Sequence, residues 1–229
     1  NEGLFAGASG LFGLGGGGLS FISQVGRVYK KIFSYCLMDR DKEGLSTLTF
    51  GGLPSGVNKF TSLLRNPNLD TFYYVGLSGI SVGGMLLHTI PATAFQMDSV
   101  NGDGGVIVDS GTSVTRLVEV AYGPLRSAFR AATHTLPFVG GFSLFDTCFD
   151  LSGRTRVTLP TLSLHFEGGA FMDLPPTNYL VPVNTKGTYC FAFASTSGQL
   201  SIIGNIQQQG FRIVFDVASA RFGFAPNSC

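Results

Sequence analysis

Gly105-Val106-Ile107-Val108-Asp109-Ser110-Gly111-Thr112-Ser113-Val114-Thr115-Arg116-Leu117 is the stretch from which the rest of this 229-residue chain is read. Val106, Ile107 and Val108 are β-branched and predict a strand, which runs straight into a tight turn, Asp109-Ser110-Gly111-Thr112. A carboxylate at the end of an apolar strand is costly to bury unless hydroxyls and backbone N–H groups surround it. Ser110, Gly111 and Thr112 offer such groups within three residues. The pattern marks a site and not a connecting loop.

Composition bounds what that site can serve. Only 13% of residues are charged, the net charge is +1, and 32 glycines and 21 phenylalanines describe a β-rich globular protein with a substantial core. Such a balance offers nothing to a polyanion. The one basic cluster, Arg27, Lys30 and Lys31, reads as a solvated face, so no nucleic-acid partner is expected. No apolar run approaches the length of a membrane span, and no membrane partner is expected either. Residues 1–20 lack the pattern of a targeting segment, which would have to lie upstream. The four cysteines, Cys36, Cys148, Cys190 and Cys229, have neither Cys-x-x-Cys spacing nor a nearby histidine, so no metal or other cofactor is expected. They allow three pairings, between which spacing does not choose. His88, His134 and His165 lie far apart and accompany no Gly-x-Ser-x-Gly elbow.

Along the chain, residues 1–20 carry glycines at 3, 7, 10, 13, 15, 16, 17 and 18 without a phosphate-loop spacing, which points to close backbone packing. A short helix capped by Ser20 is expected over 21–28, then a strand over 32–37, a charged tip at 39–43 and a return over 46–50. The glycine-rich turn at 51–56 is followed by strands over 72–75 and 79–82, split at Gly76. A polar turn at 98–104 makes Asp103 an exposed residue, not a rival to Asp109. Apolar spacing predicts a helix within 119–133, with Val120, Leu125, Ala128, Phe129 and Ala132 on one face; Pro124 suggests a start near Tyr122 or Gly123. Short strands over 145–151, 162–166, 172–174, 179–181 and 189–194, then 201–203, 211–216 and 220–224, complete an all-β pattern.

Hydrophobic-hydrophobic-Asp-Ser-Gly-Thr resembles the active-site signature of pepsin-like aspartic proteases, in particular their plant, nepenthesin-type branch. Proteins of that family have two pseudo-symmetric lobes. Each gives one Asp from such a loop, and each later crosses the loop with a hydrophobic-hydrophobic-Gly segment. This chain has two such segments, Leu11-Phe12-Gly13 and Ile202-Ile203-Gly204, but one Asp loop. The resemblance therefore implies an all-β, bilobal fold with a few short helices, whose N-terminal lobe is incomplete here. Residues 1–53 would be the second half of the N-terminal lobe and 54–229 the C-terminal lobe. The first Asp-Thr/Ser-Gly loop and the flap would come from a companion N-terminal chain. The sequence also departs from the family pattern at Asn205, where many relatives carry Asp.

The activity implied is acid endopeptidase action on a protein or peptide substrate. Two carboxylates that close cannot both ionise, so one keeps a proton while the other takes one from the attacking water. By the same resemblance Thr112 bonds the outer oxygen of Asp109, Ser110 reaches toward the facing loop, and Gly111 leaves room for substrate. Leu11, Ile107 and Ile202 would border the substrate groove, and the aromatics Phe72, Tyr73 and Tyr74 are further candidates to line it. Cys148 would pair with Cys190, and Cys36 with Cys229 as a tie between lobes, placing the protein in the apoplast or in an endomembrane lumen such as the vacuole. The other reading of the same fold is a binding protein without catalysis, such as a plant inhibitor of microbial glycosidases (xylanases).

Overall fold

The computed structural model describes residues 6–226 and Cys229; Gly3, among the glycines noted above, lies outside that range. Two one-turn helices, α1 (Phe21–Gln24) and α2 (Gly26–Tyr29), stand where one was expected. Ser20 caps α1 by accepting from the Ser23 amide, and the break falls at Val25, just before a poor helix former, Gly26. The hairpin β1 (Ile32–Cys36) and β2 (Thr47–Phe50) follows as expected. Strand β3 (Lys59–Leu64) was not foreseen. Then come β4 (Tyr74–Val75), β5 (Leu77–Val82) and β6 (Met85–Leu86), the last two joined through Gly83 and Gly84 at positive φ.

Strands β7 (Val106–Val108) and β8 (Thr115–Val118) flank the Asp109 turn and lead into α3 (Glu119–Ala132). Helix α3 begins before the point suggested by Pro124. A proline this near the start removes one hydrogen bond, to the carbonyl of Val120, a residue exposed to water. Ala121, Tyr122, Leu125 and Phe129 form its buried face; Val120 and Ala132 are exposed instead. The chain continues through β9 (Phe138–Phe142), β10 (Phe145–Asp150), β11 (Leu162–Phe166), β12 (Phe171–Leu174), β13 (Leu180–Pro182) and β14 (Thr188–Phe191). It ends with β15 (Phe193–Thr196), β16 (Ser201–Ile203), the one-turn helix α4 (Asn205–Gln208), β17 (Phe211–Asp216) and β18 (Arg221–Pro226).

Ten strands form one sheet in the order β15-β8-β16-β7-β4-β3-β18-β17-β1-β2, and two four-stranded sheets, β13-β14-β10-β9 and β12-β11-β5-β6, pack around it. β1 pairs along its whole length with β17, from Ile32↔Asp216 to Cys36↔Arg212, so the segment before residue 53 shares a sheet with the end of the chain. The core is dominated by phenylalanine: Phe33 stacks on Phe215 at 4.8 Å, and Phe129 of α3 on Phe191 at 4.1 Å. Each such ring contributes roughly 1.5–3 kcal/mol by burial. The disulfides are Cys36–Cys229 and Cys148–Cys190, the pairing implied by the resemblance. Among the described residues no helix is long and apolar enough to cross a membrane.

Candidate active site

The topology around Asp109 follows from one strand lying between two others. β7 and β8 are consecutive, yet β16 lies between them, parallel to β7 through Ile202↔Ile107 and Ile203↔Val108 and touching β8 at Ile202↔Arg116. The loop from Asp109 to Val114 must therefore arch over the end of β16. Gly204 is where the two chains meet: a Cβ there would lie 2.7 Å from the Ser113 carbonyl oxygen, a contact no side chain tolerates. Beyond it α4 is tied to the arch, its Asn205 and Ile206 amides donating to the carbonyls of Thr112 (2.7 Å) and Ser113 (3.1 Å). Asn205 Nδ2 donates to the Ser110 carbonyl at 2.9 Å, so the Asn that departs from the family pattern braces the loop.

Both oxygens of the Asp109 carboxylate are held. Oδ1 accepts from the Gly111 amide at 2.8 Å, and Oδ2 from the Thr112 hydroxyl at 2.7 Å, the contact the resemblance implied. The carboxylate is half-buried and not fully enclosed, and it opens into a cavity of about 290 Å³. Around it the cavity is apolar and aromatic, with Phe12, Leu14, Phe33, Tyr35, Phe72 and Tyr73 among its walls. The nearest obstacle to a side chain at Gly111 is the Asp109 carboxylate itself, at 3.1 Å. Ser110 is exposed at the rim.

The residues expected to border the groove divide. Phe72 lines the cavity, whereas Leu11, Tyr74, Ile107 and Ile202 lie outside it. Leu11 is 77% exposed, and Leu11-Phe12-Gly13 forms no strand. A crossing segment needs two strands to pass between, as β16 has in β7 and β8, and among the described residues no such pair flanks Leu11. Phe12 takes its place on the wall, packed on Phe21 at 4.7 Å. Tyr74, Ile107 and Ile202 form one row across β4, β7 and β16, with Tyr74 and Ile107 buried; alternation along each strand turns this row away from Val108, which does line the cavity.

Tyr73, one of the aromatics expected at the groove, lines the cavity and donates to the Leu14 carbonyl at 2.8 Å, and burial pushes its ionisation up. Two site residues were missed. Tyr35 lies at the cavity floor, and Gln208 behind it. The alternation of Phe33 and Tyr35 in a predicted strand, and three consecutive glutamines after an apolar strand, were the available signals. The glycines of residues 10–18 give close packing at two positions: Gly15 and Gly16 pass against the backbone of Asp70 and Thr71, with the Gly16 amide donating to the Thr71 carbonyl at 2.8 Å. Among the described residues there is no group of three or more His, Cys, Asp or Glu side chains arranged to hold a metal.

Comparison with known proteins adds the following. The family model described as Xylanase inhibitor C-terminal matches residues 72–226, and the one described as Xylanase inhibitor N-terminal matches residues 1–52. Aspartyl protease family protein 2 of Arabidopsis thaliana is 58% identical over 231 residues, covering 100% of this chain and 47% of that protein. Aspartic proteinase nepenthesin-1 of Nepenthes gracilis is 39% identical over 235 residues, covering 100% and 52%. The chain thus spans about half the length of the curated relatives it matches. Among solved structures, edgp superposes with a TM-score of 0.82 at 18% identity over 95% of this chain and 59% of that one. Basic 7S globulin from soybean does so with 0.77 at 21%, over 98% and 60%. At such identities the structures speak for the fold alone.

Proposed function

This chain belongs to the pepsin-like plant aspartic protease family, and from its site we propose that it is the larger part of an aspartic endopeptidase. Asp109 activates a water together with a second carboxylate outside this sequence, on the companion N-terminal chain that also brings the flap. The water adds to the peptide carbonyl, one carboxylate accepting its proton and the other, protonated, donating to the carbonyl oxygen. Peptide bonds of an unfolded protein are the substrate, and acidic pH is required for the pair to hold one proton. The observation that carries this reading is the carboxylate of Asp109, with each oxygen fixed by a donor from its own loop at the mouth of an aromatic cavity. A loop used only as a binding surface has no chemical need of a half-buried, doubly held carboxylate. Two disulfides support an oxidising compartment, the apoplast or an endomembrane lumen.

The test is cleavage of a denatured protein at about pH 4 by the native, as-isolated material, with and without pepstatin, a mimic of the tetrahedral intermediate. Pepstatin-sensitive cleavage that disappears in Asp109→Asn is expected. A family description that names xylanase inhibitors favours the second reading, a non-catalytic protein that binds a glycosidase. Folded material that contains its companion segment, does not cleave, and inhibits a xylanase would establish that reading in place of the first.

A further inference from the structure

Tyr35 lies in β1, before the turn at 51–56, and Asp109 lies after it, yet a buried hydrogen-bond chain joins the two. The Tyr35 hydroxyl donates to Gln208 Oε1. Gln208, fully buried on α4, donates from Nε2 to the Ile203 carbonyl at 2.9 Å, and the Asp109 amide donates to the same carbonyl at 3.1 Å.

The polarity of this chain is set from its inner end. A carbonyl oxygen can only accept, so Gln208 must turn its NH₂ to Ile203 and its oxygen to Tyr35. Tyr35 has a single proton and gives it to that oxygen. Burial above all pushes the phenol's ionisation far up, so it stays a neutral donor and the polarity does not invert.

We propose that Tyr35 and Gln208 are positioning residues for the Asp109 loop: they hold the Asp109 backbone through the Ile203 carbonyl, which accepts from both Gln208 and Asp109. The proposal rests on the endopeptidase reading for its catalytic consequence but not for its geometry.

The experiment compares the native protein, together with the segment that completes its groove, with Tyr35→Phe, Gln208→Leu and the double variant. Each single variant is expected to lower kcat for peptide cleavage roughly tenfold with KM within about twofold, and the double variant no further, because the two act as one unit. Amide hydrogen exchange at Asp109 is expected to speed at least about tenfold in Tyr35→Phe while Val106–Val108 keep their rates. Unchanged exchange at Asp109, uniform acceleration along β7, or additive losses in kcat would overturn the proposal. Should the native protein not cleave, the endopeptidase reading falls, and the exchange measurement alone decides the positioning role.

Discussion

At the scale of single residues, the Asp109 carboxylate is organised by two of its own next three residues. Thr112 supplies the bond to Oδ2 and Gly111 the bond to Oδ1. A hydrogen bond to a charged group contributes about 1.5–3 kcal/mol, so Thr112→Val is expected to lower kcat roughly ten- to a hundredfold, with the melting temperature nearly unchanged. Thr112→Ser, which keeps the hydroxyl, should retain most of the activity; equal losses in both variants, measured by steady-state cleavage at acidic pH, would count against the hydroxyl as the operative group. This part of the site was legible in the sequence because it is local: Asp109, Gly111 and Thr112 need only the turn to meet. Tyr35 and Gln208 were not, since their meeting depends on β1 pairing with β17 and on α4 folding back beside Ile203. Of the aromatics expected at the groove, Tyr73 reaches the cavity and Tyr74 does not, for a simpler reason. Two adjacent residues point to opposite faces, and with only Tyr74 and Val75 in the strand, sequence parity had no register to anchor it.

At the scale of elements, the arch over β16 and the docking of α3 each rest on one residue. The backbone of Ser113 and Val114 passes Gly204 so closely that a Cβ would sit 2.7 and 2.8 Å from it, and backbone cannot swing aside as a side chain can. Gly204→Ala is therefore expected to destabilise the fold by about 1–3 kcal/mol in denaturant unfolding and to abolish cleavage although Asp109 is intact. Helix α3 is fastened to β10 through Asp146, which accepts from Tyr122 at 2.7 Å, Arg126 at 2.8 Å and Thr147 at 2.7 Å. Burial pushes the pKa of Asp146 up, but these three bonds outweigh it and hold the carboxyl below its ordinary 3.8. A depressed value means the stabilisation is complete above the unfolded pKa and is lost only as pH falls through the folded one, so α3 stays docked at about the pH of the proposed activity. Asp146→Asn is expected to lower stability near neutral pH by no more than about 1 kcal/mol, since the pair is part-exposed, and to flatten the pH dependence of the melting temperature below about pH 4. Most elements were readable from alternation and turn residues; β3, β6, β8 and β9 were not. β9, Phe138–Phe142, is interrupted by Gly140 and Gly141 and exposed at Phe138, Val139 and Phe142, so it carries no alternating pattern. β3 is an interior strand only because β4 and β18 close on it from either side.

At the scale of the whole molecule, the segment before residue 53 is held by a ladder and a covalent tie placed at the same spot. Cys36 is the last residue of β1, its neighbour in the ladder is Arg212 of β17, and its disulfide partner Cys229 ends the chain. The ladder alone would let β1 and β2 peel from the edge of the ten-stranded sheet, since β2 pairs with β1 and with no other described strand. Closing a loop with a sequence separation of 193 removes the most chain entropy that any pairing in this sequence could, about 5 kcal/mol on the entropic model and in practice about 2–4 kcal/mol. Cys148–Cys190, with a separation of 42, sits inside one four-stranded sheet where β10 and β14 already align the two residues. Removing the first tie with Cys36→Ala and Cys229→Ala is therefore expected to have two effects that removing the second with Cys148→Ala and Cys190→Ala does not share. Hydrogen exchange in β1 and β2 should speed while β17 and β18 stay protected, and cleavage should fall with it, because Tyr35 of β1 stands at the floor of the Asp109 cavity. If exchange in β1 keeps pace with that of β17 in the first variant, the ladder and not the disulfide is what joins the two parts of the molecule.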